Sequence, residues 1–402
     1  MKRSDWFLLS VLYASQFLPV AFFFMGLPAI LRDQGMAIEQ IGALYVLGII
    51  WVLKFIWAPT VARWGIAGLG HYKGWLLLSQ AGIALCLLGI SQIDVLTNFG
   101  TMLFLAVIMT GLAATQDIAA DATACRLLPS EARGPGNAIQ IGGGVIGLIL
   151  GGGGMVLVYD TFGWQTSVLL MALIMLVVMI PIAIYREEPL DEVAQKRSGF
   201  MQLVKIWRRP GMGRWALFMV LVNTGVGMVF PLLYTGLIDI GWSVSQAGSL
   251  MNIAAPVLSL LAIAAAGGLL VHRNTIFVVS LALPIQLLAI LLLLPLARGD
   301  EIGPIGVGAI LLVFCAHHWV ATAIVTEIMG HTTMGSAGSD FSVQHSLYLL
   351  VGFVAGIAAT QLAGAYGYLF TYQIACMAIV CAFAFSVYCL LFVSGRKVAE
   401  AH

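Results

Sequence analysis

Apolar runs of about 20 residues, the length a helix needs to cross a bilayer, follow one another along almost the whole chain. Hydrocarbon offers backbone N–H and C=O groups no partner, so runs of this length in lipid must close their hydrogen bonds internally as helices. Spans are expected over 7–31, 38–62, 74–93, 100–122, 135–158, 165–185, 214–238, 243–271, 275–297, 304–328, 339–362 and 365–394. Only 9% of residues are charged and 61% are hydrophobic, against about 25% charged in a soluble domain, so lipid is the solvent. The net charge of +1 argues against nucleic acid as a partner. Lys2 and Arg3 lead straight into the first run with no convincing small-residue cleavage site, so that run is read as a span and not a signal peptide.

The long polar stretch from Arg186 to Gly213 divides the chain into 1–185 and 214–402, joined by a linker over 186–213. Each half holds six spans. The expected fold class is therefore an all-α membrane protein with twelve transmembrane helices in two pseudo-symmetric six-helix bundles. With the N-terminus inside, sixteen of the nineteen Lys and Arg residues fall on inner segments, which predicts that both termini are cytoplasmic. Gly163-Trp164 opens the sixth span and Gly367-Tyr368 the twelfth, 204 residues later, and Gln140 and Gln344 share that offset. Such an internal echo suits a transporter built from repeated bundles around a central path.

Three segments carry a family resemblance. They are Lys54-Phe-Ile-Trp-Ala-Pro59 with Arg63, Gly74-Trp-Leu-Leu and Gln80; Thr115-Gln-Asp-Ile-Ala-Ala-Asp121 with Leu128-Pro129, Glu131 and Arg133-Gly134; and Gly163-Trp164 after a glycine-rich fifth span. Together they resemble the branch of the major facilitator superfamily that holds muropeptide permeases, acetyl-CoA transporters and permeases for pyochelin- and rhizobactin-type siderophores. Gly136-Asn137-Ala-Ile-Gln140-Ile-Gly-Gly and Asp340-Phe341-x-x-Gln344 are most similar to the siderophore permeases. Twelve spans also fit these, whereas muropeptide permeases often carry two more. The resemblance implies a secondary transporter of a bacterial cytoplasmic membrane, not an enzyme, working by alternating access. The favoured cargo is a siderophore or ferric siderophore, imported with protons; a muropeptide or other small amphiphile, or efflux, is the alternative. In the family the loop after the second span carries an Asp-Arg pair, and here the pair is Ala62-Arg63. Asp340, near the start of the eleventh span, is expected to take over the missing acid's role as a gate latch towards Arg63, with Arg133 and Glu327 as further gate residues.

Charged side chains inside a membrane are costly, so they are the first functional candidates. Lys54 stands nine residues before Arg63, and Asp117 nine before Arg126, which sets both about 13 Å in from the same end and makes them partners. That pair either fixes helix packing or is broken by a proton or substrate during transport. Asp121 lies one turn from Asp117, next to which Gln116 stands, and five residues from Arg126, and it is expected to pair near the interface. In the second half His317, His318 and Trp319 lie on the tenth span, and Gln344, His345 and Tyr348 on the eleventh. Adjacent histidines point about 100° apart on a helix, unlike an i,i+4 metal pair. No metal or cofactor is expected. Gln16, Phe17, Phe23, Phe24, Asn223 and Tyr234 complete the set of cavity-type residues suited to an aromatic or chelate ligand. The partners expected are a small-molecule substrate, free or as its metal chelate, protons and the lipid bilayer, with the chain a monomer.

Gly143, Gly147 and Gly151 share one face of the fifth span, and Gly352 and Gly356 one face of the eleventh. They are expected either to pack statically or to form a smooth surface on which the halves rock. The six cysteines show no CxxC spacing and read as small core residues. No Walker motif supplies ATP chemistry and no HExxH supplies a metalloprotease, which leaves a membrane-embedded enzyme as a remote alternative.

Overall fold

In the computed structural model the residues described are 2–36, 38–66, 68–189, 199–333 and 335–393. Asp191, Glu192, Lys196 and Arg197 of the linker, and Arg396 and Lys397, lie outside them. Among the described residues nine helices are long and apolar enough to cross a bilayer. Two of these, Ser130–Ile184 and Ala337–Phe392, run for 55 and 56 residues. Straight, each would be about 80 Å long against about 30 Å of hydrocarbon, so each must turn. The turns fall at Gly163 (φ 82°, ψ 177°) and Gly367 (φ 84°, ψ 163°). This backbone region is open essentially to glycine alone. The glycines that repeat at the 204-residue offset are thus the hinges that end one span and start the next. With these two divided and one interrupted span counted, the number is twelve.

The spans are α1 (Arg3–Arg32), α2 (38–63), α3 (Tyr72–Ser91), α4 (Phe99–Leu127), α5 (133–162), α6 (164–184), α7 (Met212–Asp239), α8 (Gln246–Leu269), α9 (Thr275–Leu292), α10 (Pro304–Gly330), α11 (337–366) and α12 (368–393). The second span differs from the expected continuous helix. It is interrupted by 3-10 turns at Gly42–Tyr45 and Lys54–Ile56 before resuming at Ala58–Arg63. Pro59 explains the second break, because it has no N–H to give and its ring crowds the carbonyl four residues back. Wider π turns interrupt α1 at Phe22–Gly26, α5 at Ile149–Gly154 and α8 at Leu250–Ala254.

The chain forms two compact units. The first comprises Met1–Ser130, Ile139–Ile206 and Met329–Ser346; the second comprises Glu131–Ala138, Trp207–Ile328 and Leu347–His402. In the first unit α3 packs along both α4 and α6. Gln80 Nε2 ties α3 to α6 at Met175 O (3.0 Å), and Trp57 Nε1 ties α2 to α4 at Thr115 Oγ1 (3.0 Å). In the second unit Trp319 Nε1 donates to Val278 O (2.8 Å) between α10 and α9, and Asn223 Nδ2 to Tyr348 O (2.6 Å) between α7 and α11.

The glycine stripes are static seams inside these units. Gly143 and Gly147 face Tyr13, Ala14 and Phe17 of α1, and a Cβ at Gly147 would stand 2.8 Å from Ala14 O. Gly352 and Gly356 face Asn223, Gly227 and Pro231 of α7. Of the two readings of the stripes, these contacts support close packing: each lets two helices of one unit approach backbone to backbone. Gly147→Ala should therefore cost about 1–3 kcal/mol by overpacking. Gly153→Ala on the same helix meets no atom within 4 Å and should not destabilise the protein. Thermal unfolding in detergent separates the two; equal melting temperatures would show that the seam is not tight.

Candidate functional site

The 3-10 turn before Pro59 delivers Lys54 into the interior of the first unit, where its side chain has no exposed surface. A bare ammonium there would be prohibitive, so partners must surround it. Its Nζ bonds Asp117 Oδ2 and stands 3.8 Å from Asp121 Oδ2. The two acids lie one turn apart on α4 and are themselves sealed, at 3% and 0% side-chain exposure. Gln16 Nε2 of α1 donates to Asp117 Oδ1. Tyr13 OH of α1 (3.0 Å) and Gln140 Nε2 of α5 (2.8 Å) both donate to Asp121 Oδ1. From α11, His345 Nδ1 comes to 3.4 Å from Lys54 Nζ. Trp51 lies under the ammonium at 5.8 Å and packs in turn, tilted, against Phe17 at 5.0 Å. Five helices thus each contribute to one buried group.

Lys54 and Asp117 pair as the sequence predicts. Asp121 does not pair near the interface: it belongs to the same buried cluster, and Arg126 is engaged elsewhere. The five-residue spacing misled because it turns Arg126 about 140° away from Asp121 around α4, where it meets Glu187. Tyr13 and Gln140 were missed as site residues; they carry no charge, although Gln140 had been marked by the 204-residue echo. The ligand atoms of Asp117, Asp121 and His345 lie within 4.8 Å of one another, a metal-like spacing. The Lys54 ammonium already supplies the positive charge at that point, so the residues do not ask for a metal.

The hydrogen-bond account of the cluster is uneven. Gln16 Oε1, Gln140 Oε1 and Asp121 Oδ2 are buried acceptors that no hydrogen-bond donor of the protein satisfies. One ammonium faces two carboxylates. What the cluster lacks is positive charge and hydrogen, not oxygen.

The other candidates are placed as follows. Gln116 is fully buried on α4, with neither side-chain atom partnered. Asp340 is buried and accepts from Gln202 Nε2 (2.8 Å), Thr333 N (3.1 Å) and Thr333 Oγ1 (2.9 Å), while Arg63 is exposed and lies over Trp64 at 5.7 Å. Gln344 Nε2 turns back to Asp340 O (2.8 Å). In the second unit His317 packs edge-on to Phe230 at 4.9 Å, and His318 Nδ1 lies 2.9 Å from Phe314 O. Trp319, Asn223 and Tyr348 hold the α9–α10 and α7–α11 contacts already given. Tyr234, Arg133 and Glu327 are half-buried.

A second charged group, not foreseen, closes the linker end of the first unit. Glu187 Oε1 accepts from Tyr72 N (3.0 Å) and Arg126 Nη1 (3.1 Å), and Oε2 from Lys73 N (3.1 Å). Lys73 Nζ reaches Ala183 O (2.7 Å) and Tyr185 O (2.8 Å). A carboxylate at the N-terminus of α3 meets free N–H groups and the positive end of the helix dipole, so the placement is favourable on both counts. Beside it His71 Nε2 contacts Ala62 O (3.1 Å), and burial lowers the imidazole pKa below its ordinary value, with Glu187 opposing.

Residues 9–356 match the profile of the Major Facilitator Superfamily, and the chain belongs to that superfamily. Its apolar helices make it a multi-pass membrane protein. The anhydromuropeptide permease of Escherichia coli (strain K12) is 28% identical over 267 residues, 65% of this chain and 54% of that protein. An uncharacterized protein of Haemophilus influenzae is 32% identical over 225 residues, 54% of this chain and 53% of that one. The putative transporter AmpG 4 of Rickettsia conorii is 29% identical over 178 residues, 43% of each chain. The chain spans about half the length of the curated relatives it matches. Among solved structures the human organic anion transporter MFSD10 (TETRAN) superposes with a TM-score of 0.75 at 14% identity, over 96% of this chain and 99% of that one. The proton:xylose symporter XylE gives 0.69 at 13%, over 97% and 95%. Identities this low carry the fold alone.

Two outcomes follow from this geometry. Lys54→Met leaves Asp117 and Asp121 buried without a cation and should destabilise the protein by about 3–5 kcal/mol, while Lys54→Met/Asp117→Asn restores much of that loss. Thermal unfolding of the purified variants checks this, and equal loss in both would show that the pair is not what matters. The folded protein resists protonation of His71, so it binds fewer protons than the unfolded chain below about pH 6.5, and its stability falls as pH drops through that value. Proteolysis in the loop before α3 should quicken between about pH 7 and 5.5, and should lose that dependence in His71→Gln.

Proposed function

We propose that the chain is a proton-coupled permease that carries an anhydromuropeptide or a similar small amphiphile across a bacterial inner membrane, with both termini in the cytoplasm. The observation that supports coupling is the cluster of one buried ammonium and two buried carboxylates with three unsatisfied acceptor oxygens. A single added proton neutralises the cluster and turns one of those oxygens into a donor. Removing charge from a low-dielectric site also loosens the hold of Asp117 and Asp121 on Lys54, so protonation and helix movement are linked through one group. Alternating access between the bundles 1–185 and 214–402 is the motion that such a link would drive, with His317, Trp319 and Tyr234 as candidate cargo contacts.

The named relatives favour the muropeptide cargo over the siderophore that the sequence motifs suggest. Uptake of labelled anhydromuropeptide and of labelled siderophore into proteoliposomes, with and without an uncoupler, tests both parts. Anhydromuropeptide should accumulate and the uncoupler should abolish accumulation. Asp121→Asn should lose accumulation but keep counterflow of cargo between equal pools. Siderophore uptake alone, or accumulation indifferent to the uncoupler, would overturn the cargo or the coupling respectively.

A further inference from the structure

Ser339, Ser342 and Ser346 on α11 are 0%, 0% and 2% exposed, and no protein group bonds any of their hydroxyls. Buried hydroxyls usually find a partner, and a helical serine has one at hand in the carbonyl four residues back. Three failures in about two turns of one helix form a pattern. At 100° per residue the three lie within about 60° of one another, and they rise about 10 Å along the axis.

The surroundings give the stripe a direction. Gly338, on the same side of α11, approaches α4 so closely that a Cβ there would stand 3.3 Å from Ile118 Cγ2 and 3.5 Å from Ala122 Cβ. The serine face therefore borders the stretch of α4 that carries Asp121. At its start stands Asp340 with Thr333 and Gln202, at the linker end of the first unit. At its far end His345 touches Lys54, and Asp121 Oδ2 is itself without a hydrogen-bond donor.

We propose that Ser339, Ser342 and Ser346 line a file of water that carries protons between the linker end of the first unit and the Lys54–Asp117–Asp121 cluster. The inference rests on the proton-coupled reading above and assigns that reading a path. Buried water is normally held by polar groups that lack a protein partner, and each hydroxyl both accepts and donates, so a proton can enter at one oxygen while another leaves. No covalent bond to carbon changes and no co-reactant is consumed. Asp340 stays bonded to Thr333 and Gln202 at the mouth and positions it.

Two measurements on the whole protein in proteoliposomes test the path. In a form whose six native cysteines are alanine, Ser342→Cys should react with a small charged methanethiosulfonate from the water, as the exposed control Arg63→Cys does. The triple variant Ser339→Ala, Ser342→Ala, Ser346→Ala should lose about tenfold in uncoupler-sensitive anhydromuropeptide uptake, the effect of roughly one hydrogen bond at the limiting transfer, and keep counterflow. If the hydroxyls are merely dry, Ser342→Cys stays unlabelled, and the triple variant melts higher than the wild type with uptake unchanged; either result overturns the proposal. If wild-type uptake ignores the uncoupler, the coupling reading fails first. Labelling of Ser342→Cys would then leave a hydrated path with no proton role, and its absence would remove the path as well.

Discussion

A fully sealed ammonium at the centre of a bilayer protein is the constraint around which the first unit is arranged. Lys54 can stay charged there only if carboxylates and dipoles replace the water it has lost. The surrounding residues read as the means to that end. Pro59 breaks α2 at the turn that carries the lysine. Asp117 and Asp121 repeat at one turn so that both face it. Gly143 and Gly147 bring α5 against α1, and that close approach lets Tyr13 and Gln140 reach the same oxygen of Asp121. Enlarging the seam would part those donors from their acceptor, so packing and electrostatics are not separate features here.

Much of the architecture was legible because hydrocarbon leaves a chain few choices. Run length gave the spans, and the repeated glycine gave the positions where a 55-residue apolar helix must turn. The breaks in α2 were less visible, since hydropathy is blind to hydrogen-bond pattern and only Pro59 signalled one of them. The Lys54–Asp117 pairing could be reasoned from depth, as both are nine residues from a basic end. Asp121 was misjudged by the same ruler: distance along one helix says how deep a residue lies but not which face its neighbours occupy. Tyr13, Gln140 and Glu187 escaped for a related reason. Each acts on a residue between 19 and 115 positions away, and no local pattern encodes that.

The glycine stripes show where one true pattern supports two readings. Small residues at every fourth position do mean close helix contact. They do not say with which helix, and a sliding surface and a fixed seam make the same demand on sequence. Here the neighbours of Gly147 and Gly352 decide the matter, because each meets a backbone or an amide of its own unit.

The two charged groups of the first unit differ in a way that indicates where change can occur. Glu187 is fully occupied: three backbone or guanidinium donors hold its two oxygens, and removing any one would leave a charged acceptor short. Such a group fixes the ends of α3, α4 and the linker relative to one another. The Lys54 cluster is the opposite case. It holds more acceptors than protein donors and more negative than positive charge, on side chains sealed from the surface. A structure selected only for stability would sooner bury apolar side chains of the same size there. A centre short of donors beside a saturated end therefore separates the part of the unit that is held from the part on which, in the proposed coupling, a proton would act.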